Sequence, residues 1–234
     1  MTVDGQFLVR DGHAGRFAET LGSQMADLLV LAPHMDDETL GCGGVLALAE
    51  DPLVVFAVAP RDEGTEINAV AKLLGFRYIV LHGAEWEARL LSLDRRELVR
   101  RLEETLHAER PARVLIPAPS HHQDHVVVFE AGVSATRPMS RHGYVARMVA
   151  TYEYPGSVWG RDGHEHELNY FVDISQVCSR KIEAVKQYQG SQSGRPVAEQ
   201  EVVTAWARLR GSTIGVSYAE AFRILRLVDE GGPP

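Results

Sequence analysis

The chain has 234 residues, 45% of them hydrophobic and 24% charged, with a formal net charge of −8. That length and apolar share suffice for one good-sized core, and the acidic balance argues against the basic surface that nucleic acid or an anionic membrane requires. Two cysteines, Cys42 and Cys178, build neither a disulfide framework nor a four-cysteine zinc site, so a reducing, cytoplasmic setting is expected.

The first twenty residues carry Asp4, Arg10, Asp11, Arg16 and Glu19 and lack the apolar stretch of a signal peptide, so residues 1–25 are read as a lead-in segment. From Asp27 to Pro33 the run DLLVLAP reads as a first buried strand, followed by a helix over Thr39 to Glu50. Gly41, Gly43 and Gly44 lower helix propensity there, but they let the helix start close against a strand or a ligand. Leu53 to Ala59 is a second strand, Glu66 to Leu74 a helix with Ile67, Val70, Leu73 and Leu74 on one face, and Arg77 to Leu81 a third strand. A helix over Arg95 to Ala108 places Leu98, Leu102 and Leu106 four apart, and a fourth strand covers Arg113 to Pro117. A later strand is expected over Arg147 to Glu153 and a helix over Ser179 to Tyr188. Such alternation predicts an α/β domain with a mainly parallel sheet. No internal repeat, linker or membrane-length apolar run interrupts it, so residues 1–234 are expected to form one domain, with a frayed tail from Gly231 to Pro234.

Open α/β sheets bind ligands beyond the carboxyl ends of their strands, and two polar clusters sit there. In Pro33-His34-Met35-Asp36-Asp37-Glu38 a buried strand runs straight into one imidazole and three carboxylates, which no packing argument requires. A helix N-terminus offsets part of that charge, and a divalent cation offsets far more. If the chain tightens into a helical turn, His34 and Asp37 face one point while Asp36 projects beside it. The second cluster, His121-His122-Gln123-Asp124-His125, follows the fourth strand and supplies a third ligand, His125. Two histidines, one carboxylate and an open position form a hydrolytic zinc pattern, with Asp36 as general base, His122 as proton or hydrogen-bond donor, and Asp124 orienting an imidazole.

The pair PHMDDE and HQDH, in this order and at these strand ends, resembles the LmbE-like, PIG-L superfamily of N-acetylglucosaminyl deacetylases. NYFVDIS at Asn169 to Ser175, KIEAVKQYQGSQ at Lys181 to Gln192 and SYAEAFRI at Ser217 to Ile224 extend the likeness over most of the chain. The resemblance implies a Rossmann-like three-layer sandwich, Zn²⁺ held by His34, Asp37 and His125, Asp36 as base, and His122 on the tetrahedral intermediate or the leaving amine. It also implies a small-molecule N-acetylated amino sugar as substrate, and a homo-oligomer. Met35 stands where the family commonly has proline, and Glu63 where an arginine is common ahead of the next helix; nearby Arg61 is the candidate replacement for that substrate contact.

Other features read differently. The aromatic run Tyr152-Glu153-Tyr154, with Trp159 nearby, suits either a sugar-stacking rim or the core, and Tyr152 is the candidate substrate contact. His164-Glu165-His166 has the spacing of a surface turn rather than a metal hook, His121 is expected to face away from the site, and Cys42 reads as a small helix-interface residue. Three other readings of the clusters stay open: a two-histidine-one-carboxylate Fe(II) oxygenase, a magnesium site for phosphoryl transfer, and a non-catalytic metal module. The absence of a P-loop counts against the second.

Overall fold

A computed structural model describes residues 9–10, 26–60, 66–138, 144–158, 168–189 and 199–229. In chain order the elements are β1 (Val9–Arg10), β2 (Leu28–Ala32), α1 (Asp37–Leu48), β3 (Pro52–Val58), α2 (Glu66–Leu74), β4 (Arg77–His82), α3 (Arg95–Glu109) and β5 (Arg113–Pro117). They continue with α4 (Gln123–Ala135), β6 (Met148–Tyr152), β7 (Tyr170–Asp173), α5 (Cys178–Gln189), α6 (Gln200–Ile214) and β8 (Ala219–Leu227). Every strand and helix expected above occurs, with ends shifted by a residue or two where local bonding decides. α1 begins earlier than expected, because the backbone carbonyl of Asp36 already accepts from the N–H groups of Thr39 and Leu40, both at 2.9 Å.

Among the described residues the sheet has eight strands in the order β1-β4-β3-β2-β5-β6-β8-β7. The inner five are parallel, while β1 and the β8–β7 pair are antiparallel edges. Every residue of β2 and β3 is buried, as expected of strands covered on both faces. Alternate side chains divide between two cores. Val30, Val54 and Phe56 pack with Val45, Leu46, Ile67 and Tyr188 on the side of α1, α2 and α5. Leu29, Leu31 and Val55 pack with Leu98, Leu102, Leu106 and Val127 on the side of α3 and α4. This is a three-layer, mainly parallel α/β sandwich. No helix among the described residues is long and apolar enough to cross a membrane.

The strand order places the site. From β2 the chain moves outward through β3 to β4, then returns to the other side of β2 for β5 and β6. The connections leaving β2 and β5 therefore part in opposite directions and open a crevice at their carboxyl ends.

The glycines of α1 serve approach to protein rather than to a ligand. A Cβ on Gly41 would stand 2.2 Å from Tyr152 Cδ2 and 3.1 Å from the Glu153 carbonyl. Tyr152 cannot swing aside, because it is fully buried and its hydroxyl donates to the Leu31 carbonyl at 2.8 Å. Gly41→Ala is expected to lower stability by about 2–3 kcal/mol through overpacking, read as a fall in the denaturant midpoint at unchanged slope. An unchanged midpoint would show that α1 has room to retreat.

Candidate active site

The turn between β2 and α1 and the first residue of α1 carry three of the candidate residues, His34, Asp36 and Asp37. Asp36 precedes the helix with φ 102, a left-handed backbone that few residues other than glycine, asparagine and aspartate adopt without penalty. Its N–H donates to Glu38 Oε2 at 3.1 Å. Glu38 is wholly buried and takes further hydrogen bonds from the Thr39 hydroxyl at 2.6 Å and the Tyr188 hydroxyl at 2.8 Å. Glu38 thus braces the turn from below, and Asp36 and Asp37 are presented above it. Strained backbone held by its surroundings is characteristic of functional sites.

After β5, His122 caps α4. Its Nδ1 accepts the N–H of Asp124 at 3.3 Å, which leaves the ring proton of the neutral imidazole on Nε2, free to donate. Asp124 and His125, on the first turn of α4, are buried, whereas His121 and His122 are exposed.

These two turns meet at one carboxylate oxygen. Asp37 Oδ2 accepts the His34 N–H at 3.0 Å and stands 3.4 Å from both His34 Nδ1 and His125 Nε2. Two ligands at 2.0–2.1 Å from a shared tetrahedral ion stand about 3.3–3.4 Å apart, so these separations fit a common metal better than direct hydrogen bonds. His34, His122 and His125 also bring one ligand atom each within 4.8 Å of one another. The donor set, nitrogen with one carboxylate, suits zinc.

Each buried imidazole is held from behind. His34 Nε2 lies 2.9 Å from Asp124 Oδ2, and Asp124 is itself fixed by the N–H groups of Ala88 at 2.7 Å and Leu90 at 3.1 Å. His125 Nδ1 lies 3.3 Å from the Tyr154 hydroxyl. Burial opposes a charge on His34, but hydrogen bonds to Asp124 and Asp37 outweigh it and raise its pKa to about 9. Burial lowers the pKa of His125 and keeps it neutral, the form that binds metal. Burial would raise Asp37, yet the neighbouring His125 and His34 hold it below the usual carboxylate range.

Tyr152 requires correction. It is core, with no surface to offer a sugar. Residues two apart share a strand face, so the run itself did not choose between Tyr152 and Tyr154; β6 ends at Tyr152, and Tyr154 turns out to the site. Arg61, Glu63, Trp159, His164 and His166 lie outside the described residues. Cys42 is buried in the core, and burial pushes its thiol pKa well up, in line with a packing role. The segment around Ala88 and Leu90, which anchors Asp124 through backbone amides, carried no side-chain signal by which the sequence would reveal it.

No family model matches the chain. A diacetylchitobiose deacetylase from Thermococcus kodakarensis is 26% identical over 85% of this chain and 82% of its own length. A conserved protein from Thermus thermophilus superposes with a TM-score of 0.69 at 25% identity, over 90% of this chain and all of that one. Both motifs, the strand order and these relatives agree. All three are in line with the resemblance to the LmbE-like, PIG-L superfamily. This fold is not confined to deacetylases: the 4-carboxy-2-hydroxymuconate hydratase GalB from Pseudomonas putida has a TM-score of 0.66 at 20% identity, covering 90% of this chain and all of that one. Chemistry has to be argued from the site.

Proposed function

We propose that the chain is a zinc-dependent hydrolase that removes the acetyl group from an N-acetylglucosamine-type amino sugar or its conjugate, with water, acetate and the free amine balancing the reaction. The observation that carries this reading is the convergence of His34, Asp37 and His125 at ligand spacing, with Asp36 on the intervening turn and His122 at the rim. The relative that acts on diacetylchitobiose supports the acyl and sugar classes.

His34 Nδ1, Asp37 Oδ2 and His125 Nε2 would hold the metal. A divalent cation bound there supplies Lewis acidity, which acidifies water and polarises the acetyl carbonyl. Asp36 takes the proton of the attacking water. The Nε2–H of neutral His122 donates a hydrogen bond to the developing oxyanion, and the proton that Asp36 took from water passes to the departing nitrogen. Asp124 and Tyr154 keep the two ligand imidazoles in orientation. Both cysteines are free and buried, as suits an enzyme of the reducing cytoplasm.

Metal analysis joined to an acetate-release screen over N-acetylglucosamine, diacetylchitobiose and other N-acetylated amino sugars tests the proposal. Release that requires zinc from any of them is the expected result. Zinc bound in stoichiometric amount with no release from the panel would sink the deacetylase reading and favour hydratase chemistry, which the shared fold of GalB makes the second reading. The Fe(II) oxygenase alternative is disfavoured by the α/β scaffold and would show itself as oxygen uptake with Fe(II).

A further inference from the structure

Behind the first turn of α1 lies a buried ion pair with no part in the chemistry above. Lys181 on α5 and Glu220 on β8 are both buried, with Nζ 2.6 Å from Oε1. Both also bond to the backbone of α1. Glu220 accepts the N–H of Gly44 at 2.7 Å and of Val45 at 2.9 Å, and Lys181 Nζ donates to the Leu40 carbonyl at 2.9 Å. A regular α-helix would pair Gly44 N–H with the Leu40 carbonyl and Val45 N–H with that of Gly41. The ion pair gives these same groups side-chain partners: Lys181 donates to the Leu40 carbonyl, and Glu220 accepts from the two amides. Glycine makes this approach possible, since a Cβ on Gly43 would lie 3.0 Å from Lys181 Cγ and one on Gly44 only 2.4 Å from Ile174 Cγ2.

Stability does not account for such a pair, because buried ion pairs are commonly replaced by apolar residues with no loss; register is their better-attested use. Here the register leads to the site. The Leu40 N–H bonds the Asp36 carbonyl, so the residue whose carbonyl Lys181 grips is tied directly to the turn bearing Asp36 and Asp37. α5 grips that turn a second time through Tyr188 and Glu38.

We infer that Lys181 and Glu220 are positioning residues: they set the depth and rotation of α1 against α5 and β8, so that Asp37 Oδ2 stands where His34 and His125 converge. The inference rests on the metal site proposed above. Its test is the double variant Lys181→Met/Glu220→Leu, which removes both charges and leaves α1 to its own helical bonds. The expected result is a folded protein with a thermal midpoint at or above that of the parent, whose Zn²⁺ affinity, measured by competition with a chromogenic chelator, falls about 10–100-fold, as for loss of a supporting contact. Arrest of folding and metal affinity in parallel is what a purely structural pair would give. A parent protein that binds no Zn²⁺ would overturn the metal site itself; a parent that binds and a folded double variant that binds equally well would overturn this inference alone. A second measurement needs no variant. If the pair couples to the site, added Zn²⁺ slows hydrogen exchange of the Gly44 and Val45 amides in the parent protein, and exchange indifferent to Zn²⁺ would overturn the coupling.

Discussion

Asp36→Asn is expected to keep its zinc and lose acetate-release turnover by about 10²–10⁴-fold, the usual worth of a general base. Asparagine is the informative substitution because it tolerates positive φ, and Asp36 has φ 102. The side chain keeps its shape, and the backbone N–H still reaches Glu38. What disappears is the capacity to accept a proton. Alanine at the same position would add backbone strain, so its rate loss would mix misplacement of the turn with loss of the base. The measurement is kcat and KM together with metal content: kcat falls, while KM and bound zinc stay close to the parent. Near-normal kcat in a zinc-loaded Asp36→Asn enzyme would remove Asp36 from the role.

The sequence made the parallel core of the fold legible because its strands are buried on both faces and read as unbroken apolar runs, DLLVLAP and LVVFAVA among them. Leu98, Leu102 and Leu106 marked α3 by their spacing, and all three are buried. α4, by contrast, was hidden. Its sequence QDHVVVFEAGVSA mixes a β-branched run with the site residues at its start, and only packing of Val127 and Val128 against β2 and β5 makes it a helix. β7 and β8 were legible only as family segments, β8 being buried over its first four residues and then alternating into solvent, and α6 was not read from the sequence at all. At the site, the clusters announced their chemistry by residue type, but their braces did not. Nothing in a linear reading joins Lys181 to Glu220, Tyr188 to Glu38, or the Ala88 amide to Asp124, because each bond spans a turn of the topology.

Two substitutions separate the possible ligand sets, and their results should be opposite. Three imidazoles lie within metal-binding range of one another, which by itself would make His122 a ligand and leave Asp37 beside the ion. The carboxylate geometry argues otherwise: Asp37 Oδ2 is buried and stands at ligand spacing from both His34 and His125, whereas His122 is exposed and already spends Nδ1 on capping α4. Binding energies of about 10–16 kcal/mol shared among four zinc ligands come to about 3 kcal/mol each, or on the order of 100-fold in affinity. Asp37→Ala is therefore expected to lower zinc affinity by about that factor and to abolish turnover at sub-saturating metal. His122→Ala is expected to bind zinc as the parent does while turnover drops by about 10²–10³-fold, the worth of an oxyanion donor. Competition with a chelator reads the first effect and acetate release at saturating zinc the second. Should His122→Ala be the variant that sheds the metal, the site is a three-histidine centre, and the hydrogen bond to the oxyanion has to come from another group.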